Sequence, residues 1–122
     1  MTYPALCAYI EEQARQLGIG TAFFQSNHEG AIIDEIHGAY HKKDGIIINA
    51  GAFTHYSYAI LDALKSVGIP AAEVHISDID SREAFRRNSV IRPACCVFIA
   101  GRGYEGYVDA IKELAARIQN RQ

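Results

Sequence analysis

Two polar side chains, Glu73 and His75, interrupt the apolar stretch from Ala72 to Ile76, which is predicted to be a β-strand. Residues two apart on a strand point to the same face of the sheet, so the carboxylate and the imidazole are expected to be neighbours. A carboxylate beside an imidazole orients the ring and raises its basicity, which suits general acid catalysis. The alternative is a structural histidine that only satisfies its own hydrogen bonds.

Further polar side chains follow the other predicted strands. Asn49 and His55 come after the apolar run 46–48. Arg82 and Arg86 are four residues apart on a short predicted helix, 81–87, so one helical face is expected to present two guanidinium groups. This pair suits a ligand with a carboxylate or several hydroxyl groups, and a merely solvated charged face is the alternative.

Two other kinds of site have weaker support. His28, His55 and His75 lack the spacing of metal ligands, so no metal is expected. The segment from Gly101 to Gly106 carries glycines at the positions of a dinucleotide-binding fingerprint, but it follows the last predicted strand instead of the first. We interpret it as a close turn into the final helix, not as a nucleotide site.

The overall composition is that of one globular domain, expected to cover residues 1–122. The chain has 49% hydrophobic and 21% charged residues and a net charge of -2, so neither nucleic acid nor an anionic membrane is expected as a partner. The cysteines Cys7, Cys95 and Cys96 form no CxxC motif and are interpreted as reduced thiols. No secretory signal and no bilayer-length apolar run is evident, which indicates a cytoplasmic protein.

Helices and strands alternate along the chain. The hydrophobic periodicity predicts strands at 21–25, 46–48, 72–76 and 95–100, and helices around 6–17, 32–40, 60–64, 81–87 and 107–118. Thr54 is the expected cap of the third helix. This order favours an α/β domain with a parallel sheet, helices on both faces, and a ligand site at the carboxyl ends of the strands. Since the chain begins with a helix, the first strand of a doubly wound sheet is expected to be missing.

Five stretches taken together carry a resemblance to one family. They are 24–30 (FQSNHEG), 48–55 (INAGAFTH), 73–77 (EVHIS), 82–89 (REAFRRNS) and 101–107 (GRGYEGY). In this order and spacing they resemble type II 3-dehydroquinate dehydratase. The resemblance extends over essentially the whole chain and is far more specific than any of its motifs alone.

The resemblance implies a flavodoxin-like fold and a homododecamer built from trimers. It implies the shikimate-pathway dehydration of 3-dehydroquinate to 3-dehydroshikimate, without metal or organic cofactor. In that family a tyrosinate removes a proton beside the ketone to form an enolate, and a histidine then protonates the departing hydroxyl group.

By matching position, the resemblance also implies roles for individual residues. His75 would be the general acid, and Glu73 would help to hold a site water and the local proton network. The remaining positions would contact the substrate or lie beside it: Asn49 and His55 by hydrogen bonds, Ile76 and Ser77 at its carboxylate, Arg86 at its ring hydroxyls, Asp62 in the neighbouring subunit's site, and Arg82 on the side where the family's lid closes.

Some family features have no counterpart in the sequence. These are the first strand with its Asn-Gly-Pro-Asn run, and the lid loop with its arginine and catalytic tyrosine. Tyr3 lies a few residues past the position of the base, so the role is not transferred to it. Three hypotheses follow: an active dehydratase, a shortened relative that binds a cyclohexane carboxylate or only assembles, and a truncated form of an ordinary enzyme.

Overall fold

The computed structural model describes residues 1–120. The helices are α1 (Tyr3–Gln16), α2 (Glu29–Gly38), α3 (Tyr58–Val67), α4 (Ala84–Arg87) and α5 (Glu105–Asn120), and the strands are β1 (Ile46–Ile48), β2 (Ala71–His75) and β3 (Val97–Ala100). Short 3-10 turns cover Gly51–His55, Ile79–Ser81 and Arg92–Ala94. None of the helices in this range has the length and apolar character needed to cross a bilayer.

The three strands described form one parallel sheet in the order β1-β2-β3. In the register of the sheet, Glu73 on β2 lies between Ile48 on β1 and Phe98 on β3. Because the strands are parallel, the segments that follow them emerge at a single edge. That edge therefore brings together the residues after Ile48, His75 and Ala100.

Helices cover both faces of the sheet. On one face, α2 and α3 bury apolar side chains such as Ile60 and Leu64 against Ile48. On the other face, α5 packs Leu114 against Val74, and α1 packs against α5. Burial of these apolar side chains is the main force that holds the layers together. The expected flavodoxin-like α/β architecture is confirmed.

The strand predicted at 21–25 is not formed. These residues have no regular secondary structure and all five are exposed, including Phe23 and Phe24 at 39% and 47% of their surface. A strand requires a neighbouring strand to satisfy its backbone N–H and C=O groups, and the residues described supply none beside this segment. The sheet thus has three strands where the sequence predicted four.

Two local predictions also need correction. Ser57, not Thr54, caps α3, because its Oγ accepts a hydrogen bond from the Ile60 N–H at 3.1 Å. The helix predicted over 81–87 is shortened to α4, because Glu83 has an extended backbone with φ -56° and ψ 154°. Arg82 therefore lies outside the helix that carries Arg86, and the two do not share one helical face as predicted.

Candidate active site

A buried carboxylate–imidazole pair lies at the carboxyl end of β2. Glu73 is fully buried, and His75 has only 5% of its surface exposed. The Nε2 of His75 lies 2.5 Å from Oε2 of Glu73. Since a carboxylate only accepts, Nε2–H is the donor, and Nδ1 is left as the ring nitrogen that can exchange a proton with a ligand. The predicted neighbourhood of Glu73 and His75 is confirmed.

Ser89 completes the hydrogen bonding of this pair. Its Oγ donates to Oε1 of Glu73 at 2.9 Å, so each carboxylate oxygen has one partner. The ring of Phe98 lies 5.8 Å from that of His75, and the guanidinium of Arg92 covers the Phe98 ring at 3.7 Å. Ser89 lies in the matched stretch 82–89, but no sequence pattern marks its contact with Glu73.

Asn49 and His55 follow β1 at the same edge of the sheet. The Nδ2 of Asn49 donates to the Tyr107 hydroxyl at 3.0 Å. The ring of His55 is held at its Nδ1, which donates to the carbonyl of Asn88 at 2.8 Å. Its Nε2 is therefore the acceptor of the neutral ring. The Oδ1 of Asn49 also accepts from the Gly51 N–H at 3.2 Å, so Asn49 keeps one amide N–H and His55 keeps Nε2 for a ligand.

The segment after His75 is fixed by the glycine loop that follows β3. The Gly101 N–H donates to the carbonyls of His75 and Ser77, and the Gly103 N–H donates to that of Ile76. Gly101 has φ +76°, and an added Cβ would lie 3.3 Å from the Cβ of Asp78. The loop therefore needs glycine for backbone conformation and close approach, which supports the structural interpretation of this motif over a nucleotide site.

The two predicted arginines are placed differently. Arg82 donates from its Nη2 to the Ser77 hydroxyl at 3.1 Å, which brings it to the end of β2. Arg86 on α4 forms an ion pair with Glu83 at 2.9 Å. Asp62 lies on the exposed side of α3 and, within residues 1–120, makes no hydrogen bond to the others. Arg82 therefore reaches the end of β2, whereas the ion pair of Arg86 and the position of Asp62 do not connect these two residues to Glu73 or His75.

Tyr3 is the tyrosine nearest to the position of the family's base in the sequence. Partial burial raises the pKa of Tyr3 above 10.0, with a further contribution from its hydrogen bond with Cys7. A phenol with a raised pKa keeps its proton at neutral pH and is a poor base. The structure thus gives no support for a catalytic role of Tyr3.

The thiol of Cys95 is close enough to Glu73 for the carboxylate charge to affect its pKa. Burial, followed by the charges of Glu73 and Cys96, raises the pKa of the Cys95 thiol to about 12. The thiol therefore stays neutral at physiological pH. All three cysteines are free thiols, and Cys96 is exposed.

The sequence of this chain is similar to that of one protein family. The family model described as "Dehydroquinase class II" matches residues 1–115. A 3-dehydroquinate dehydratase of Caldicellulosiruptor bescii is 55% identical over 115 residues, which are 93% of this chain and 79% of the relative. The corresponding protein of Clostridium acetobutylicum is 52% identical, over 93% of this chain and 78% of its own length.

Solved structures agree with the sequence matches. The crystal structure of type II dehydroquinase from Butyrivibrio crossotus superposes with a TM-score of 0.92 at 50% identity, covering 94% of this chain and 81% of the other. A 3-dehydroquinate dehydratase-like protein from Bifidobacterium longum is more distant, with a TM-score of 0.76 and 27% identity over 97% and 89% of the two chains. The family resemblance of the five motifs is therefore confirmed, and the chain belongs to the class II dehydroquinases, the type II 3-dehydroquinate dehydratases.

Proposed function

We propose that this chain eliminates water from 3-dehydroquinate to give 3-dehydroshikimate, the hydro-lyase reaction of its family. The observation that carries the proposal is the hydrogen bond between His75 and Glu73, buried at the carboxyl edge of the sheet where α/β proteins bind their ligands. A buried acid held by a carboxylate is what the loss of a hydroxyl group as water requires.

The elimination divides into two proton transfers. In the family's reaction a tyrosinate first takes the proton beside the ketone, and the electron pair of the broken C–H bond becomes an enolate; we assign none of the described residues to that step. The C–O bond of the departing hydroxyl then breaks as the enolate collapses to the conjugated ketone, and His75 gives that oxygen a proton from Nδ1. Glu73 stabilises the imidazolium before this step, because its Oε2 lies 2.5 Å from the opposite ring nitrogen.

The other residues of the edge would grip the substrate. Asn49 and His55 would form hydrogen bonds to it, Asn49 through the second N–H of its Nδ2 and His55 through its Nε2. Ile76 and Ser77 would bind its carboxylate, with the charge of Arg82 adjacent to the Ser77 hydroxyl. The ring hydroxyls would be contacted by Arg86.

Assembly, location and domain organisation complete the proposal. We infer a single domain over residues 1–122, trimers that combine into a dodecamer, and a cytoplasmic location. Exposed aromatic side chains support association: Tyr56 and Tyr58, at the start of α3, expose 58% and 65% of their surface. Asp62 lies on the same helix and would reach the site of the neighbouring subunit. Native mass spectrometry measures the subunit count directly.

A second candidate function is binding of a cyclohexane carboxylate with little turnover. It is kept because we assign the tyrosinate that enolate formation needs to none of the residues described: Tyr3 lies a few residues past the matching position, and burial raises its pKa. Loss of a general base lowers the rate by about a hundredfold or more, whereas the hydrogen bonds that bind the substrate do not depend on the base. A ligand could therefore bind with ordinary affinity and react slowly.

The test is an absorbance assay for the conjugated ketone, combined with calorimetric binding of 3-dehydroquinate. We expect His75→Ala to lower kcat by about 10²–10⁴-fold with little change in binding. His37→Ala is the matched control, since His37 is exposed at the end of α2. Binding without turnover by the wild-type chain would favour the second candidate, and the absence of both binding and turnover would contradict both.

A further inference from the structure

We propose that Ser89 is a positioning residue that sets the orientation of the Glu73 carboxylate and, through it, the tautomer of the His75 ring. The proposal concerns the geometry of the pair, and its consequence for catalysis rests on the proposed function. Ser89 contacts neither ring nitrogen of His75, so its effect is transmitted by Glu73.

The direction of the Ser89 hydroxyl is fixed by a second hydrogen bond. Its Oγ accepts from the Arg92 N–H at 3.2 Å, where the 3-10 turn Arg92–Ala94 begins. With that side of the oxygen occupied, the hydroxyl proton is directed to Oε1 of Glu73 at 2.9 Å. Ser89 thus joins the start of a turn to a carboxylate that is fully buried.

The backbone on either side of Ser89 is also anchored. The carbonyl of Asn88 accepts from Nδ1 of His55 at 2.8 Å, and the Val90 N–H donates to the carbonyl of Thr54 at 2.8 Å. Both partners lie in the 3-10 turn Gly51–His55. The backbone of Ser89 is therefore anchored on both sides, which fixes the position of its hydroxyl relative to the Glu73 carboxylate.

Removing this hydroxyl would free the carboxylate to rotate. The terminal torsion of a glutamate is broad and has two-fold symmetry, so hydrogen bonds decide where its oxygens lie. Glu73 has two such partners, Ser89 and His75. With Ser89 gone, His75 alone would orient the carboxylate, and whenever the carboxylate oxygens turn away from Nε2 the neutral ring is free to adopt the other tautomer.

The chain offers a matched control in Ser57. Its Oγ likewise accepts from a backbone N–H, that of Ile60, and donates to a carboxylate oxygen of Glu29 at 2.5 Å. Ser57→Ala therefore removes the same two hydrogen bonds at a place that does not contact Glu73 or His75. Any general effect of losing a serine hydroxyl that binds a backbone N–H and a carboxylate should appear in this variant as well.

The experiment is solid-state NMR of protein labelled with ¹⁵N-histidine, with His75→Ala used to assign the signal. This reads the ring tautomer without substrate and at any assembly size. We expect a single Nε2–H tautomer for His75 in the wild-type protein and in Ser57→Ala. In Ser89→Ala we expect a mixture of tautomers, and in Ser89→Thr, which keeps the hydroxyl, a return to one.

Kinetics supply an independent readout. We expect Ser89→Ala to lower kcat by roughly tenfold at unchanged KM, the loss typical of one hydrogen bond to a charged group. Ser89→Gly serves as a second variant that also lacks the hydroxyl. A single wild-type tautomer in both variants would overturn the proposal, as would an equal change in Ser57→Ala. Failure of the proposed dehydration would leave the NMR result interpretable.

Discussion

Replacing Glu73 by glutamine tests how the buried pair works. Glutamine has nearly the same shape, and its carbonyl oxygen can still accept from Ser89, as Oε1 of Glu73 does at 2.9 Å. The amide nitrogen then faces Nε2 of His75, where the carboxylate oxygen lay at 2.5 Å. An amide N–H donates, so Nε2 must become the acceptor and the ring proton must move to Nδ1.

The size of the effect follows from the lost charge. Unit charges roughly 4 Å apart attract by about 4 kcal/mol at an effective dielectric constant of 20, and desolvation of the fully buried carboxylate offsets part of this. The imidazolium that must donate the proton loses this support in Glu73→Gln. We therefore expect kcat to fall by about 10²–10³-fold, within the range for general acid catalysis.

The assay measures kcat and KM by formation of the conjugated ketone, and substrate binding by calorimetry. Glu29→Gln is the control, because Glu29 also accepts from a serine hydroxyl but does not contact His75. We expect Glu29→Gln to keep wild-type kcat, and both variants to bind substrate within a fewfold of wild type. A kcat for Glu73→Gln within about threefold of wild type would refute the role of Glu73 as support of the acid.

Three further predictions follow from burial and pKa. At pH 8, a thiol with a pKa of about 12 is ionised to only about one part in 10⁴, so mass-mapped alkylation should label the exposed Cys96 long before Cys95. Tyr3→Phe should keep kcat within about twofold at pH 7, because the raised pKa leaves the phenol protonated, and a tenfold loss would contradict this. Ile60→Ala should lower the free energy of unfolding by about 2–5 kcal/mol in urea at fixed protein concentration, because Ile60 is fully buried.

Much of the fold was predictable because its signals are local. The isoleucines of β1 and the helical spacing of α5 are patterns that a short window contains, and both elements formed where predicted. The segment 21–25 has the same apolar character and is exposed. Its conformation depends on a hydrogen-bonding partner elsewhere, which composition does not report.

In the candidate site, too, contacts within one element were predictable from the sequence, and contacts between elements were not. Proximity of Glu73 and His75 follows from the two-residue period of a strand, so it was predictable. The pairing of Arg82 with Arg86 failed because the extended backbone of Glu83 interrupts the helix between them. The contact of Ser89 with Glu73 spans 16 residues between different elements, and no local pattern marks it.

The helix α4 has a consequence for ligand entry. None of its four residues is buried, whereas Val90 and Ile91 shortly after it are core residues. A segment with so little buried apolar surface opens at a small fraction of the free energy of global unfolding. Local opening of α4 would displace Arg86 without unfolding the sheet that holds the buried Glu73 and His75. We therefore expect backbone amides of α4 to exchange with solvent faster than those of β2, which holds Glu73 and His75.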